Sequence, residues 1–288
     1  MERLLNSRES LPRPKDGAAL RFLYRTVPGR ALLRLLGARW LSRLCGRFLD
    51  SSLSRPLIGP FVRRSGICLE DYMKETYRCF NDCFTRRIRP ELRPMDPTPD
   101  ALVAPCDGLL SVYAIGEGCV IPAKQSRYAI SDLLGGDKAA SRFSGGTCLV
   151  FRLGVQHYHR YCYPDGGRVQ KAGFVPGELH TVRPIALEHL PVFVRNCRAY
   201  ALLETDNLGL VAQIEVGAML VGKIDNHPAP ERFERGMEKG MFRYGGSTVI
   251  LLIEPGRLEL PERIYALSAN EEELPVQMGE RIANLKSR

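Results

Sequence analysis

A chain of 288 residues, 44% hydrophobic and 25% charged, is long enough for a substantial core and too apolar for a disordered polymer. Its net charge of +9 is uneven: residues 1–65 carry +10 and the remainder sums to −1, so the N-terminal segment seeks an anionic partner, either an acidic membrane surface or a nucleic acid. Uninterrupted apolar runs of about 18 residues are lacking, and residues 1–17 contain no apolar block, so neither a transmembrane helix nor a secretory leader is expected.

The spacing of apolar residues predicts an amphipathic helix over 30–50. Leu33, Trp40, Leu41, Leu44 and Phe48 fall on one face, and Arg39, Arg43 and Arg47 follow one another on a second. Such a helix suits the interfacial layer of a membrane; packing on the core with its arginines in water is the alternative. The aromatic residues sit with the leucines rather than among the arginines, which argues against nucleic acid. A second helix is predicted over 69–88, with Leu69, Tyr72, Met73, Phe80 and Phe84 on one face. Pro90, Pro94 and Pro97 then mark 89–100 as a linker. Beyond it, short apolar and β-branched runs alternate with turns at 109–115, 147–153, 158–163, 168–175, 197–204, 208–224 and 247–253. The expectation is an α+β protein: a basic, helical, membrane-associating segment over 1–95, then a mostly β catalytic core over 96–288.

Nine cysteines form no CxxC pair, and most lie in apolar runs. Reduced core cysteines of a cytosolic protein are expected, rather than a disulfide framework or a zinc site.

Several residues can carry chemistry. Gly245-Gly246-Ser247-Thr248 precedes the apolar run Val249–Ile253. A turn is its plain reading. Chemically, a serine hydroxyl behind a flexible glycine can attack that glycine's carbonyl, turning an amide into an ester. Elimination then splits the chain and leaves a pyruvoyl group, an electrophile able to act as an electron sink. His157 and His159, in Val155-Gln156-His157-Tyr158-His159-Arg160, would share one face of a strand. There they could ligate a metal, supply a proton donor with a neighbouring partner, or simply form a polar face. Asp107, in Ala104-Pro105-Cys106-Asp107-Gly108, is a turn residue or a carboxylate that orients a histidine. No Walker loop, GxSxG elbow or HExxH pattern occurs, which fits an enzyme that makes its own cofactor.

In this order the motifs resemble the phosphatidylserine decarboxylase family from about residue 70 to 255. The resemblance is carried by Phe80-Asn81-Asp82-Cys83-Phe84-Thr85-Arg86-Arg87, Arg93-Pro94, Ala104–Gly108, Tyr128 with Leu133-Leu134-Gly135, and Tyr158-His159-Arg160. Leu179-His180-Thr181-Val182 with Pro184, Arg195-Asn196, Val216-Gly217-Ala218 with Val221-Gly222, and Gly245–Ile250 complete it. It implies a proenzyme cut between Gly246 and Ser247, a large chain 1–246 holding its own small chain 247–288, and Ser247 converted to the pyruvoyl cofactor with no metal. It further implies a Schiff base with phosphatidylserine, loss of carbon dioxide and release of phosphatidylethanolamine at the cytoplasmic face of the membrane, with the anionic phospholipid as substrate and surface. No nucleic acid partner is implied, and a homodimer stays open. Asp107, His159, Gly246 and Ser247 are its site residues.

The family usually has an acidic residue two before the histidine of Tyr-His-Arg and a second histidine three after it, and here those positions hold His157 and Cys162. The base for self-cleavage is therefore His159, His157 or Cys162; His159, oriented directly or indirectly by Asp107, is the expected one, since an ordinary thiol near 8.5 is less suited. Two other readings remain: an unprocessed lipid-binding relative without activity, and a pyruvoyl decarboxylase of a soluble amino acid.

Overall fold

A computed structural model describes residues 9–11, 17–36, 39–123, 126–218, 223–244 and 247–286. Helices α1 (Ala18–Arg25), α2 (Val27–Leu36), α3 (Arg39–Asp50) and α4 (Ile58–Ser65) lead the chain, with a 3-10 helix over Ser52–Leu57 between the last two. Helix was expected over 30–50, and α2 and α3 supply it. On its apolar face Leu33 is buried, Leu41 half-buried, and Leu44 and Phe48 exposed; the side chains of Arg39, Trp40 and Arg43 lie outside those described.

The single helix expected over 69–88 does not form. Leu69–Asp71 is one 3-10 turn, Tyr72 bridges Ile88 in antiparallel fashion, and only Phe80–Phe84 (α5) is helical. Its apolar residues serve two separate clusters instead of one stripe. Tyr72 packs with Ile88 and Tyr158, Phe80 and Phe84 pack with Phe61 and Tyr244, and Met73 is left exposed.

The β core follows the alternation of the sequence. Its strands are β1 (Ala101–Val103), β2 (Gly108–Ala114), β3 (Val120–Ala123), β4 (Ser126–Ala129), β5 (Thr147–Leu153), β6 (Arg160–Cys162), β7 (Gly167–Val175), β8 (Arg198–Thr205), β9 (Gly209–Val216), β10 (Ile224–Asn226), β11 (Glu238–Phe242), β12 (Ser247–Ile253), β13 (Leu258–Glu259), β14 (Leu274–Val276) and β15 (Arg281–Leu285). Short helices α6 (Ile130–Leu133), α7 (Pro184–His189), α8 (Val192–Arg195) and α9 (Glu262–Ala269) lie between them. Among the described residues, seven strands make one antiparallel sheet in the order β14-β2-β5-β12-β9-β8-β7. The small sheet β10-β11-β6 packs beside it.

Strand β12 is central, and all seven of its residues are buried. That explains why its run is apolar without alternation: both faces meet a core. Ile250 and Leu252 join a cluster that includes residues of α6, α7 and α8 and Tyr24 of α1. Val249, Leu251 and Ile253 join a second cluster with Phe151, Tyr161 and Phe242. At about 1.5–3 kcal/mol for each large apolar side chain, burial of Val249 to Ile253 anchors β12, and with it the residue at the strand's head.

Among the described cysteines no disulfide forms; Cys79, Cys83, Cys106, Cys148 and Cys162 are buried, as expected of core thiols.

Candidate active site

Ser247 is the first residue of β12 and lies opposite Leu153, the last of β5. On its other side, Thr248 pairs with Val216, so the next residue of that neighbour, Gly217, stands across from Ser247. Ser247 is 1% exposed, and its Oγ has no hydrogen-bond partner; the hydroxyl of Thr248 beside it is also buried and unpartnered. Leaving a buried hydroxyl unsatisfied costs about 1–3 kcal/mol. Gly246 and Gly245 lie outside the described residues, as do Val221 and Gly222.

After Leu153 the chain reverses through a turn, with His157 N–H donating to the Gly154 carbonyl at 3.0 Å. Hence His157 and His159 precede β6 instead of lying on a strand, and the shared strand face expected for them is not formed. The Gly154 N–H donates to His157 Nδ1 at 3.0 Å, which occupies the lone pair of that nitrogen. His159 is held the other way. Its Nδ1 meets the His157 carbonyl at 2.9 Å, and because a carbonyl only accepts, Nδ1 carries the proton. Nε2 is then bare, buried and without a partner. Burial, with help from the nearby Arg86 charge, drives the His159 pKa down to about 3, so the ring is neutral.

His159 is linked to the segment leading into Ser247 through aromatic rings. Phe84 lies 4.2 Å from the His159 ring and 5.2 Å from that of Tyr244, three residues before Ser247. Phe242, on the approach to the same segment, donates its N–H to the His159 carbonyl at 2.9 Å.

Asp107 does not reach His159. Its carboxylate accepts Arg93 Nε at 2.7 Å, Arg93 Nη2 at 2.6 Å and the Met278 N–H at 2.9 Å. Its charge is felt at His157 instead. Burial lowers the His157 pKa, and Asp107 acts against that shift. Cys162 lies in β6, and burial pushes its thiol up to about 12, leaving no thiolate at neutral pH.

Some contributors went unassigned in the sequence. Arg86, 2% exposed, donates Nη2 to the carbonyls of Gln156 at 3.1 Å and His157 at 3.2 Å, and so fixes the turn that aims His159. An arginine directly after Phe84-Thr85 was the only available signal. Glu215 pairs across the sheet with Val249, one side-chain row from Ser247, and holds buried Lys239 at 2.7 Å. Neither charge was singled out in sequence, because their pairing joins β9 to β11 and no local pattern shows it.

Comparison with known proteins gives the same family. A family model described as phosphatidylserine decarboxylase matches residues 80–284. The chain is 40% identical over 264 residues to phosphatidylserine decarboxylase proenzyme 2 of Clostridium acetobutylicum, covering 91% of this chain and 90% of the relative. It is 36% identical to a phosphatidylserine decarboxylase proenzyme of Ruminiclostridium cellulolyticum, covering 93% and 91%. A Clostridium perfringens proenzyme of the same description is 35% identical, covering 91% of each chain. With two-thirds of its length inside the family model and relatives aligned along nearly all of it, the chain belongs to the phosphatidylserine decarboxylase family.

Proposed function

We propose that this chain is a self-cleaving proenzyme that converts phosphatidylserine to phosphatidylethanolamine and carbon dioxide, using a pyruvoyl group made from Ser247. The observation that carries the reading is the buried, unpartnered Ser247 hydroxyl at the head of the central strand. A native fold seldom leaves such a group unsatisfied without a reason. The residues present fit the group: a hydroxyl with no competing bond, and a neutral imidazole with one bare nitrogen in the same buried neighbourhood.

In self-cleavage the Ser247 hydroxyl attacks the Gly246 carbonyl carbon and passes its proton to His159 Nε2. The amide nitrogen takes up a proton as the amide becomes an ester. Loss of the Ser247 Cα proton expels residue 246 as a carboxylate. Water then displaces the nitrogen, ammonia leaves, and a keto-acyl terminus remains on 247–288. Once formed, this group supplies an electrophilic carbonyl to the substrate amine and draws off the electron pair released with carbon dioxide. His159 suits the base role better than His157, whose Nδ1 lone pair is occupied, or Cys162, which is a thiol. Asp107 acts at a distance, by fixing Arg93 and through its charge at His157.

The first 95 residues serve as the membrane-associating segment and 96–288 as the catalytic core, at the cytoplasmic face of the membrane. Support comes from exposed Phe22, Val27, Leu32, Leu44, Phe48, Leu53 and Leu57, set among exposed arginines on α1 to α4 and the intervening 3-10 helix. No helix among the described residues is long and apolar enough to cross a bilayer.

The test is the intact mass of the purified protein. A break before Ser247 and a small chain closed to stepwise N-terminal sequencing are expected, and the Ser247→Ala chain should stay whole. A folded wild-type chain that remains unbroken defeats the proposal.

A further inference from the structure

Asn196 is fully buried, and its side-chain amide bonds only to main chain. The His180 N–H donates to Asn196 Oδ1 at 2.9 Å, and Asn196 Nδ2 donates to the carbonyls of His180 and Gly217, each at 2.7 Å. The partners fix which end of the amide is oxygen, because the N–H needs an acceptor and the two carbonyls need donors.

The bond to Gly217 fills a gap in the main sheet. Register pairs Arg198 of β8 with Val216 of β9, so Cys197 opposes Gly217 one step beyond. One ladder bond survives there, from the Gly217 N–H to the Cys197 carbonyl at 3.0 Å. Its mate does not form. The Cys197 N–H turns instead to the Glu178 carbonyl at 3.0 Å, at the parallel bridge between Glu178 and Asn196. A buried carbonyl needs a donor, and the Asn196 amide takes the place of the missing N–H at Gly217.

The replacement matters because of what lies on the other side of Gly217. Thr248 of β12 pairs with Val216, so Ser247 stands across from Gly217. A strand residue turns both of its main-chain groups to the same neighbour. Both groups of Gly217 face β8, so the Gly217–Ser247 pair is of the kind with no hydrogen bonds between its members, whose Cα atoms approach to about 4.5 Å. Among the described residues, the hydrogen bonds that hold Gly217 against residue 247 therefore come from behind, from the Cys197 carbonyl and from Asn196.

We propose that Asn196 is a positioning residue for the reaction. It clamps Gly217 as the wall beside residue 247, first when that residue is the serine of the bond to be cut and again when it is the pyruvoyl group. This rests on the decarboxylase reading given above. Ser247 Oγ is buried and makes no bond of its own, so its aim depends on the walls around it. Without the Asn196 amide, the Gly217 carbonyl must turn to find another donor, and the wall moves with it. A shift of about 1 Å at a reacting group can cost about 10²-fold in rate.

The experiment compares full-length Asn196→Ala with Ile264→Ala, a core truncation on α9 that leaves the clamp intact. Electrophoresis over time reads self-cleavage. Carbon dioxide released from phosphatidylserine vesicles reads kcat and KM of the cleaved fraction. Asn196→Ala is expected to cleave about 10²-fold more slowly, with kcat lowered and KM nearly unchanged. Ile264→Ala, less stable but still folded, is expected to cleave at the rate of the unaltered chain. Cleavage of Asn196→Ala at the unaltered rate, or slowed no more than that of Ile264→Ala, overturns the proposal, and so does a loss confined to KM. Should Asn196→Ala fail to fold, Gly177→Ala decides in its place, because a methyl group there stands 2.5 Å from the Asn196 carbonyl carbon and moves the clamp without removing it. Slower cleavage then supports the proposal, and an unaltered rate overturns it. An unaltered chain that folds and stays whole overturns the decarboxylase reading and this proposal together, a result distinct from failure of the variants alone.

Discussion

The main-chain carbonyl of His157 accepts the Nδ1–H of His159 at 2.9 Å. Residue 157 thereby sets the tautomer of residue 159 with its backbone and not with its side chain. The two histidines should behave differently on mutation. His159→Ala should abolish self-cleavage or slow it by about 10²–10⁴-fold, as expected for a lost general base. His157→Ala keeps the carbonyl and should cleave at a rate nearer the unaltered chain. The fraction of small chain seen by electrophoresis over time measures both. Cleavage that survives in His159→Ala and fails in His157→Ala would reverse the assignment.

A neutral, buried His159 also makes stability depend on pH. Its pKa is about 3 in the folded chain, against about 6.5 when unfolded. Between those values the unfolded chain binds a proton that the folded chain refuses. This contribution is therefore whole above about pH 6.5 and is lost as the pH falls towards 3, at up to ~1.4 kcal/mol per pH unit. Urea unfolding of Ser247→Ala between pH 7 and 5 should show the loss, and His159→Phe in the same background should flatten it. Equal slopes in the two proteins would refute the neutral ring. Self-cleavage should likewise show no inflection near pH 6.5, because its base is already unprotonated.

Asp107 and Arg93 form a two-point pair, with side chains only 7% and 15% exposed. Removing one partner strands a buried charge, at a cost of about 3–5 kcal/mol in comparable cases. Arg93→Ala should fall near the lower end, since Met278 still donates to Asp107. Arg93→Lys should recover only part of the loss, because an ammonium cannot make both bonds in one plane. Denaturant midpoints settle the order; a lysine variant as stable as the unaltered chain would show that the fork geometry is unimportant.

Much of this was legible in sequence. The short apolar runs gave β2, β5, β7, β8 and β12 nearly to the residue, because strand period and burial act locally; the run over 208–224 gave the start of β9 but overshot its end at Val216. Ser247 drew attention because a glycine-serine step before an apolar strand admits self-cleavage as well as a plain turn, and its place at the head of β12 agrees with the strand expected over 247–253. The geometry around His159 was hidden. Its orientation depends on a turn at Gly154–His157 and on Arg86, some 70 residues earlier, reaching over to hold that turn. Asp107 was expected beside a histidine, but Arg93, only 14 residues before it, took both carboxylate oxygens. Helix over 69–88 failed for a related reason: its apolar spacing was real, but Tyr72 and Phe84 answered to different tertiary partners.

Gly177 tests the segment that carries His180. A Cβ there would stand 2.3 Å from the Arg195 carbonyl oxygen and 2.5 Å from the Asn196 carbonyl carbon, both of them backbone. The glycine is what lets Glu178 bond to Arg195 and Cys197 on the parallel strand bridge beside Asn196. Gly177→Ala should push this segment off, loosen the Asn196 clamp and lower the melting temperature, because backbone cannot yield as a side-chain tip can. Thermal unfolding identical to that of the unaltered chain would show that the close approach is not needed.

The N-terminal helices make the last prediction. Leu44 and Phe48, one turn apart on α3, are 58% and 45% exposed, while Leu49 on the other side packs with Phe80 and Phe84. The same helix therefore packs one face on the core and leaves one exposed, the face that the proposed membrane association would use. Replacing Leu44 and Phe48 by glutamate removes two apolar contacts with lipid, each worth up to about 1.5–3 kcal/mol, and adds repulsion from anionic headgroups. Co-sedimentation with phosphatidylserine vesicles should weaken by roughly a hundredfold or more, while self-cleavage, which occurs in the core, continues. Salt should weaken binding of the unaltered chain, since the arginine contribution is screened beyond about 10 Å at 0.1 M. A double variant that still binds vesicles as tightly as the parent would move the membrane face away from α3.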